Sequence, residues 1–186
     1  MSARGRVPRD PQGPSASRSR RARILVFLQG TVLMHSGGVG RTPEERVAQV
    51  RERSDPSVRD HATYVPVRGA VAKLRRWQGQ GARIDYLSSN RDPVAIAQDA
   101  SILRRYGFPE GRVFAREPGE SYGDIAGREL PDVLIEDDCR SIGADEVTYP
   151  QIPRGRRSRI RSIIVPEFGG IDHLPDSLEM LLALES

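Results

Sequence analysis

Residues 24–33, Ile24-Leu25-Val26-Phe27-Leu28-Gln29-Gly30-Thr31-Val32-Leu33, carry the reading of the fold. The first five are continuously apolar, as a strand buried on both faces of a parallel sheet must be, and Gly30 ends the run. Outward from this stretch, strand and helix signals alternate. Thr42 with Glu45 three residues on forms a capping box, and Pro43 suits a first helical position. A helix is predicted from about Thr42, followed by an extended segment from His61 to Pro66 and a helix from Val67 to about Gln80, where Val71, Leu74 and Trp77 recur at helical spacing. Beyond these come a strand at Ile84–Ser88, a helix at Pro93–Tyr106, a short strand at Arg112–Ala115 and a helix from about Tyr122 to Leu130. Strands at Val133–Glu136 and Ile160–Val165 and a last helix at Leu174–Leu184 complete the series. Five strands separated mainly by helices and joined by right-handed crossovers imply an α/β, Rossmann-like three-layer sandwich with a mostly parallel five-stranded sheet.

The chain has 186 residues, enough for one domain with a real core. Residues 1–21, rich in Pro, Ser, Gly and Arg, read as a disordered basic tail, and residues 22–186 as the domain. Seven arginines against Asp10 put +6 in residues 1–23, so with a net charge of +4 the remainder carries −2. The folded part therefore calls for no polyanion partner, and nucleic acid is suggested only by the tail. No apolar run approaches the roughly 18 residues of a membrane span, so no membrane association is expected and the protein reads as cytoplasmic. A single cysteine, Cys139, excludes an internal disulfide and any multi-cysteine metal site. With no identified histidine partner it reads as structural. His35, His61 and His173 show no metal-ligand spacing, and the run Pro153 to Arg161 reads as a solvated connector.

Ligands of open parallel sheets bind beyond the carboxyl ends of the strands, and three of these ends carry polar clusters. Gly30 and Thr31 follow the first strand, and Ser88, Ser89 and Asn90 the second; small and hydroxyl residues there let N–H and O–H groups approach a phosphate. Each also has a plain structural reading as a turn or helix cap. Glu136, Asp137 and Asp138 follow the fourth strand and supply the hard oxygen donors that magnesium prefers. Together they point to a small phosphorylated ligand, with Mg²⁺ as the expected cofactor and a protein partner as the other option.

These clusters, in this order and spacing, resemble the motifs of the haloacid dehalogenase-like hydrolases. The stretch ILVFLQGTVL is similar to the first motif, YLSSN at 86–90 to the second and DVLIEDD at 132–138 to the fourth; IEDDCRSIG with EFGGIDHLPD also looks like small, uncharacterised bacterial members. The resemblance places the nucleophilic aspartate on Phe27, the acid/base aspartate on Gln29 and the phosphate-binding hydroxyl on Ser88. It places the metal-binding acids among Glu136, Asp137 and Asp138, and leaves the basic third motif to Arg116 or Arg128. A phenyl ring neither attacks phosphorus nor ligates a metal, and an amide transfers no proton near neutral pH. No Asp or Glu lies between Asp10 and Glu44, so shifting the register restores neither acid. The expectation is a fold without aspartyl-phosphate chemistry, kept for phosphate or magnesium binding, sensing or interaction. The alternatives are a hydrolase that activates water on a metal held by Glu136, Asp137 and Asp138, and nucleic-acid binding through the tail. Residues 34–64, opened by Gly37, Gly38 and Gly40, stand where this family inserts a cap and read as a minimal lid or flank.

Overall fold

In the computed structural model, which describes residues 20–143 and 147–184, the apolar run at Ile24 becomes the middle strand of the sheet. Strand β1 (Arg23–Phe27) pairs in parallel with β4 (Arg83–Leu87) on one side and β6 (Val133–Asp137) on the other. Two more parallel partners, β5 (Val113–Phe114) and β7 (Arg161–Val165), extend the sheet to the order β5-β4-β1-β6-β7. Strand alternation sends Ile24, Val26 and Leu28 to one face and Leu25 and Phe27 to the other. The first face is covered by helices α2 (Ala70–Gly79), α3 (Pro93–Tyr106) and α6 (Leu178–Ala183), through Leu74, Trp77, Ile102 and Leu181. The second is covered by α4 (Tyr122–Glu129) and the connector ahead of β7, through Tyr122, Ile125, Ile152 and Ile160. This is the predicted α/β sandwich with a five-stranded parallel sheet. Among the described residues no helix is long and apolar enough to cross a membrane. The basic tail falls outside the described residues up to position 19; Arg20 pairs with Asp132.

Immediately after β1 the chain forms a two-stranded antiparallel hairpin, β2 (Leu33–Met34) with β3 (Val65–Pro66). The intervening residues hold helix α1 (Pro43–Glu52) and three 3₁₀ turns. The capping box read from Thr42 and Glu45 is present in both directions. Helix α1 buries a charged residue: Arg46 donates from Nε to Gly38 O at 2.9 Å and from Nη1 to Phe168 O at 2.8 Å. This single side chain ties the helix to the loop after β7. Arg46→Met, which keeps the stem and removes both donors, is expected to lower stability by about 2 kcal/mol, because two buried carbonyls lose their partners. Urea denaturation checks it.

Several elements differ from the sequence reading. Only Val65–Pro66 of the segment from His61 is strand, since His61–Thr63 closes a 3₁₀ turn. Helix α2 starts at Ala70 and not Val67, because Arg68 adopts a left-handed φ of 46°. The last helix begins only after Ser177, which caps it. Its expected first turn is consumed by α2: Lys73 Nζ donates to Leu174 O and pairs with Asp176, Trp77 Nε1 donates to Pro175 O, and Gln80 Nε2 to Asp176 O. A short helix α5 (Arg154–Arg157) lies within the connector.

Candidate functional site

Beyond Phe27 the chain reverses sharply. Val32 N and Leu33 N both donate to Leu28 O, Gly30 N donates to Leu33 O, and Gly30 takes a φ of 89°. That φ favours glycine, and space demands it as well: a Cβ on Gly30 would lie 2.5 Å from Glu167 Oε1 and 2.7 Å from Asp137 Oδ2. The turn brings Thr31 Oγ1 to Asp137 Oδ1 at 2.5 Å, while Phe168 N donates to Gly30 O. The ends of β1, β6 and β7 are thereby locked together.

No carboxylate comes from β1. Phe27 is 5% exposed and packs edge-on against Tyr122, ring centroids 4.8 Å apart. Gln29 is held at both ends of its amide. Its Oε1 accepts from Ser89 N at 2.9 Å and Ser89 Oγ at 3.0 Å, and its Nε2 donates to Asp99 Oδ1 at 2.9 Å. Asp99, on α3 and 1% exposed, also accepts from Ser88 Oγ at 2.5 Å and Asn90 Nδ2 at 3.0 Å. The hydroxyls of Ser88 and Ser89 and the Asn90 side chain therefore all have partners within the protein.

The acidic strand end divides. Asp137 faces the turn at Gly30, but alternation along β6 turns Glu136 to the other face, so Glu136 does not join the acid cluster as expected. Its carboxylate accepts from Thr148 N at 2.7 Å and Tyr149 N at 3.2 Å. Burial pushes its pKa up, against those hydrogen bonds. Asp138 caps the 3₁₀ turn after β6 through Arg140 N. What stands beside Asp137 is Glu167, from the loop after β7, which the sequence reading did not single out. Asp137, Glu167 and Cys139 present donor atoms all within 4.8 Å of one another. Cys139 Sγ lies 3.4 Å from Asp137 Oδ2. Burial, then the charge of Asp137, pushes the Cys139 thiol well above its ordinary range. Glu167 is 4% exposed, and its Oε2 has no hydrogen-bond partner among the described residues.

Burial first, then the neighbouring charge of Asp137 and a hydrogen bond with it, pushes the Glu167 carboxyl up to about 10. The folded protein thus keeps a proton on Glu167 that the unfolded chain releases near 4.5, so stability falls as pH rises from about 4.5 towards 10. Glu167→Gln removes that dependence. In chelator at pH 8 the variant is expected to be more stable than the wild type by about 2 kcal/mol, roughly 5 °C in Tm, with the gap closing towards pH 5. Thermal melts across pH check the sign.

These groups open onto a cavity of about 570 Å³. Its floor is Gly30, Asp137, Cys139 and Glu167, and its walls include Phe27, Tyr64, Tyr122 and Phe168. Of the two arginines considered for the third motif, Arg116 lines the cavity, its guanidinium 3.8 Å from the Tyr122 ring centre. Arg128 instead pairs with Glu120 and Glu129 along α4 and does not line it.

The parallel sheet in this order, with a hairpin directly after its central strand and polar groups gathered at its carboxyl edge, is an α/β fold that solved structures share. The class C acid phosphatase from Bacillus anthracis with tungstate bound is similar at a TM-score of 0.51 and 18% identity, over 82% of this chain and 70% of that one. A chain of the Pnkp1/Rnl/Hen1 complex gives a TM-score of 0.51 at 14% identity, over 81% of this chain and 48% of that one, so this chain spans about half its length. A haloacid dehalogenase-like family hydrolase from Streptococcus pneumoniae gives 0.49 at 13% identity, covering 88% of this chain and 90% of that one. No protein-family model and no curated protein sequence matches the chain. At these identities, what is shared is the fold.

Proposed function

We propose that this protein uses the haloacid dehalogenase-like fold without aspartyl-phosphate chemistry, as a binding or sensing module whose cavity takes a divalent cation at Asp137 and Glu167. The observation that carries this reading is the buried carboxylate pair facing the cavity, with Glu167 Oε2 lacking a partner. Two buried acids in contact are costly unless they share a proton or hold a cation. The absence of a Cβ on Gly30 leaves the room that both acids occupy. A bound cation supplies positive charge for the pair and an attachment point for a ligand donor atom.

The protein's own groups set what can accompany the cation. Ser88, Ser89 and Asn90 turn their donors to Gln29 and Asp99, which argues against a free phosphate in that corner. A phosphorylated ligand would be held through the cation and Arg116, while the aromatic walls receive an apolar body. Phe27 closes the place from which a nucleophile would attack.

The test is thermal stability of the full chain with magnesium, manganese or inorganic phosphate, alongside turnover of phosphate monoesters. Divalent cations are expected to stabilise the wild type by about 3 kcal/mol at a hundredfold excess over Kd, and Asp137→Asn to lose the effect. Phosphate alone gives no shift and no monoester is hydrolysed. Turnover that disappears in Asp137→Asn would instead establish a hydrolase with a water nucleophile.

A further inference from the structure

The donor atoms at the cavity floor say which kind of cation fits them. Magnesium takes oxygen donors and keeps much of its water. Asp137 and Glu167 provide oxygens, but the third donor within 4.8 Å is the sulfur of Cys139. Sulfur adds little for magnesium and favours zinc and the cations that resemble it. The three donors come from two separate segments, Asp137 and Cys139 from the end of β6 and Glu167 from the loop after β7. The main-chain bond from Phe168 N to Gly30 O, at 2.7 Å, fixes that loop against the turn at Gly30. The cluster is therefore built by the fold and is not an exposed group of acids. Glu167 is 4% exposed, lines the cavity, and keeps Oε2 without a partner among the described residues.

We propose that the site is selective for a thiophilic divalent cation of the zinc and cobalt type, held by Asp137, Cys139 and Glu167 and accessible from the cavity. This rests on the cation-binding reading above and narrows it. Thr31 acts as a positioning residue: its hydroxyl donates to Asp137 Oδ1 at 2.5 Å, which leaves Oδ2, the oxygen nearer Cys139, for the cation. Three protein donors and access from a cavity are the features of zinc sites that admit a further ligand. Binding converts the Cys139 thiol to a thiolate and releases its proton to solvent.

The test titrates cobalt(II), as a spectroscopic stand-in for zinc, into the reduced full-length protein. The expected result is a near-ultraviolet thiolate-to-cobalt charge-transfer band that saturates, is abolished by stoichiometric zinc, and survives a large excess of magnesium. Cys139→Ser is expected to lose the band, and Glu167→Gln to weaken cobalt binding while the far-ultraviolet circular dichroism is unchanged. A wild-type protein that binds cobalt or magnesium through Asp137 with no charge-transfer band overturns the thiophilic assignment and leaves the cation reading standing. No binding of any divalent cation overturns both. The wild-type spectrum decides the matter even where a variant fails to fold.

Discussion

Phe27→Asp is expected to destabilise the protein by about 4 kcal/mol, roughly 10 °C in Tm, and to give no phosphatase. Removing a buried phenyl group costs about 3–5 kcal/mol where the surroundings relax only in part, and the edge-on pair with Tyr122 contributes further. The new carboxylate replaces a ring that packs with Leu25, Tyr122 and Ile125 in one apolar cluster and borders the cavity, so it gains only partial solvation. It also lines the same cavity as Asp137 and Glu167, so a third acid there adds like-charge repulsion. Adding a divalent cation is expected to return part of the loss, because the third carboxylate gains a counter-charge. Pairing the change with Gln29→Asp deepens the defect, since Gln29 Nε2 donates to Asp99 and a carboxylate there would oppose it. Phe27→Leu, nearly conserving apolar volume, is expected to cost about 1.5 kcal/mol. Thermal melts of this series, with and without cation, check the order.

Asp99→Ala carries the second large effect, a loss of about 3 kcal/mol. Asp99 accepts hydrogen bonds from Gln29, Ser88 and Asn90. Without it three donors, the Ser88 hydroxyl buried and the Gln29 and Asn90 amides half-buried, lose their acceptor together, and each then bears some desolvation penalty. Asp99→Asn keeps one acceptor oxygen but turns an amide N–H₂ towards some of those donors, so partial rescue is expected. A merely solvated aspartate on α3 would move stability by less than about 0.5 kcal/mol in either variant. Urea midpoints for the two variants separate these outcomes. Loss of Asp99 also frees the Ser88 hydroxyl and the Asn90 amide, so Asp99→Ala is where weak phosphate binding is most expected to emerge.

The fold was legible because its signals are local and redundant. ILVFL can hardly be anything but a buried strand, Thr42 with Glu45 announces a helix start, and strand ends at Gly30, Ser88 and Asp137 mark one edge of the sheet. That Phe27 and Gln29 bring no acid to this strand end is equally plain, since no Asp or Glu lies between Asp10 and Glu44. The site's other members depend on contacts far apart in sequence. Glu167 opens the EFGGIDHLPD stretch, which matches no metal pattern; its other local signal is that it follows an apolar strand at the same edge. Asp99 shares a helix face with Ile102 and Leu103, three and four residues on, and that spacing is the clue that it points inward. Arg46 lies beside Val47 and Val50, too weak a stripe to show that a guanidinium is buried among them. Glu136 adjoins Asp137 in sequence, but neighbours in a strand face opposite ways, which separates the two.

The central question is what the buried pair at Asp137 and Glu167 holds. Calorimetric titration of the full chain, first with a divalent cation and then separately with inorganic phosphate, tests it most directly. Saturable cation binding that is lost in both Asp137→Asn and Glu167→Gln, with no heat from phosphate alone, is the predicted result. Phosphate binding to the cation-free protein that survives both substitutions, with no uptake of any cation, would contradict it.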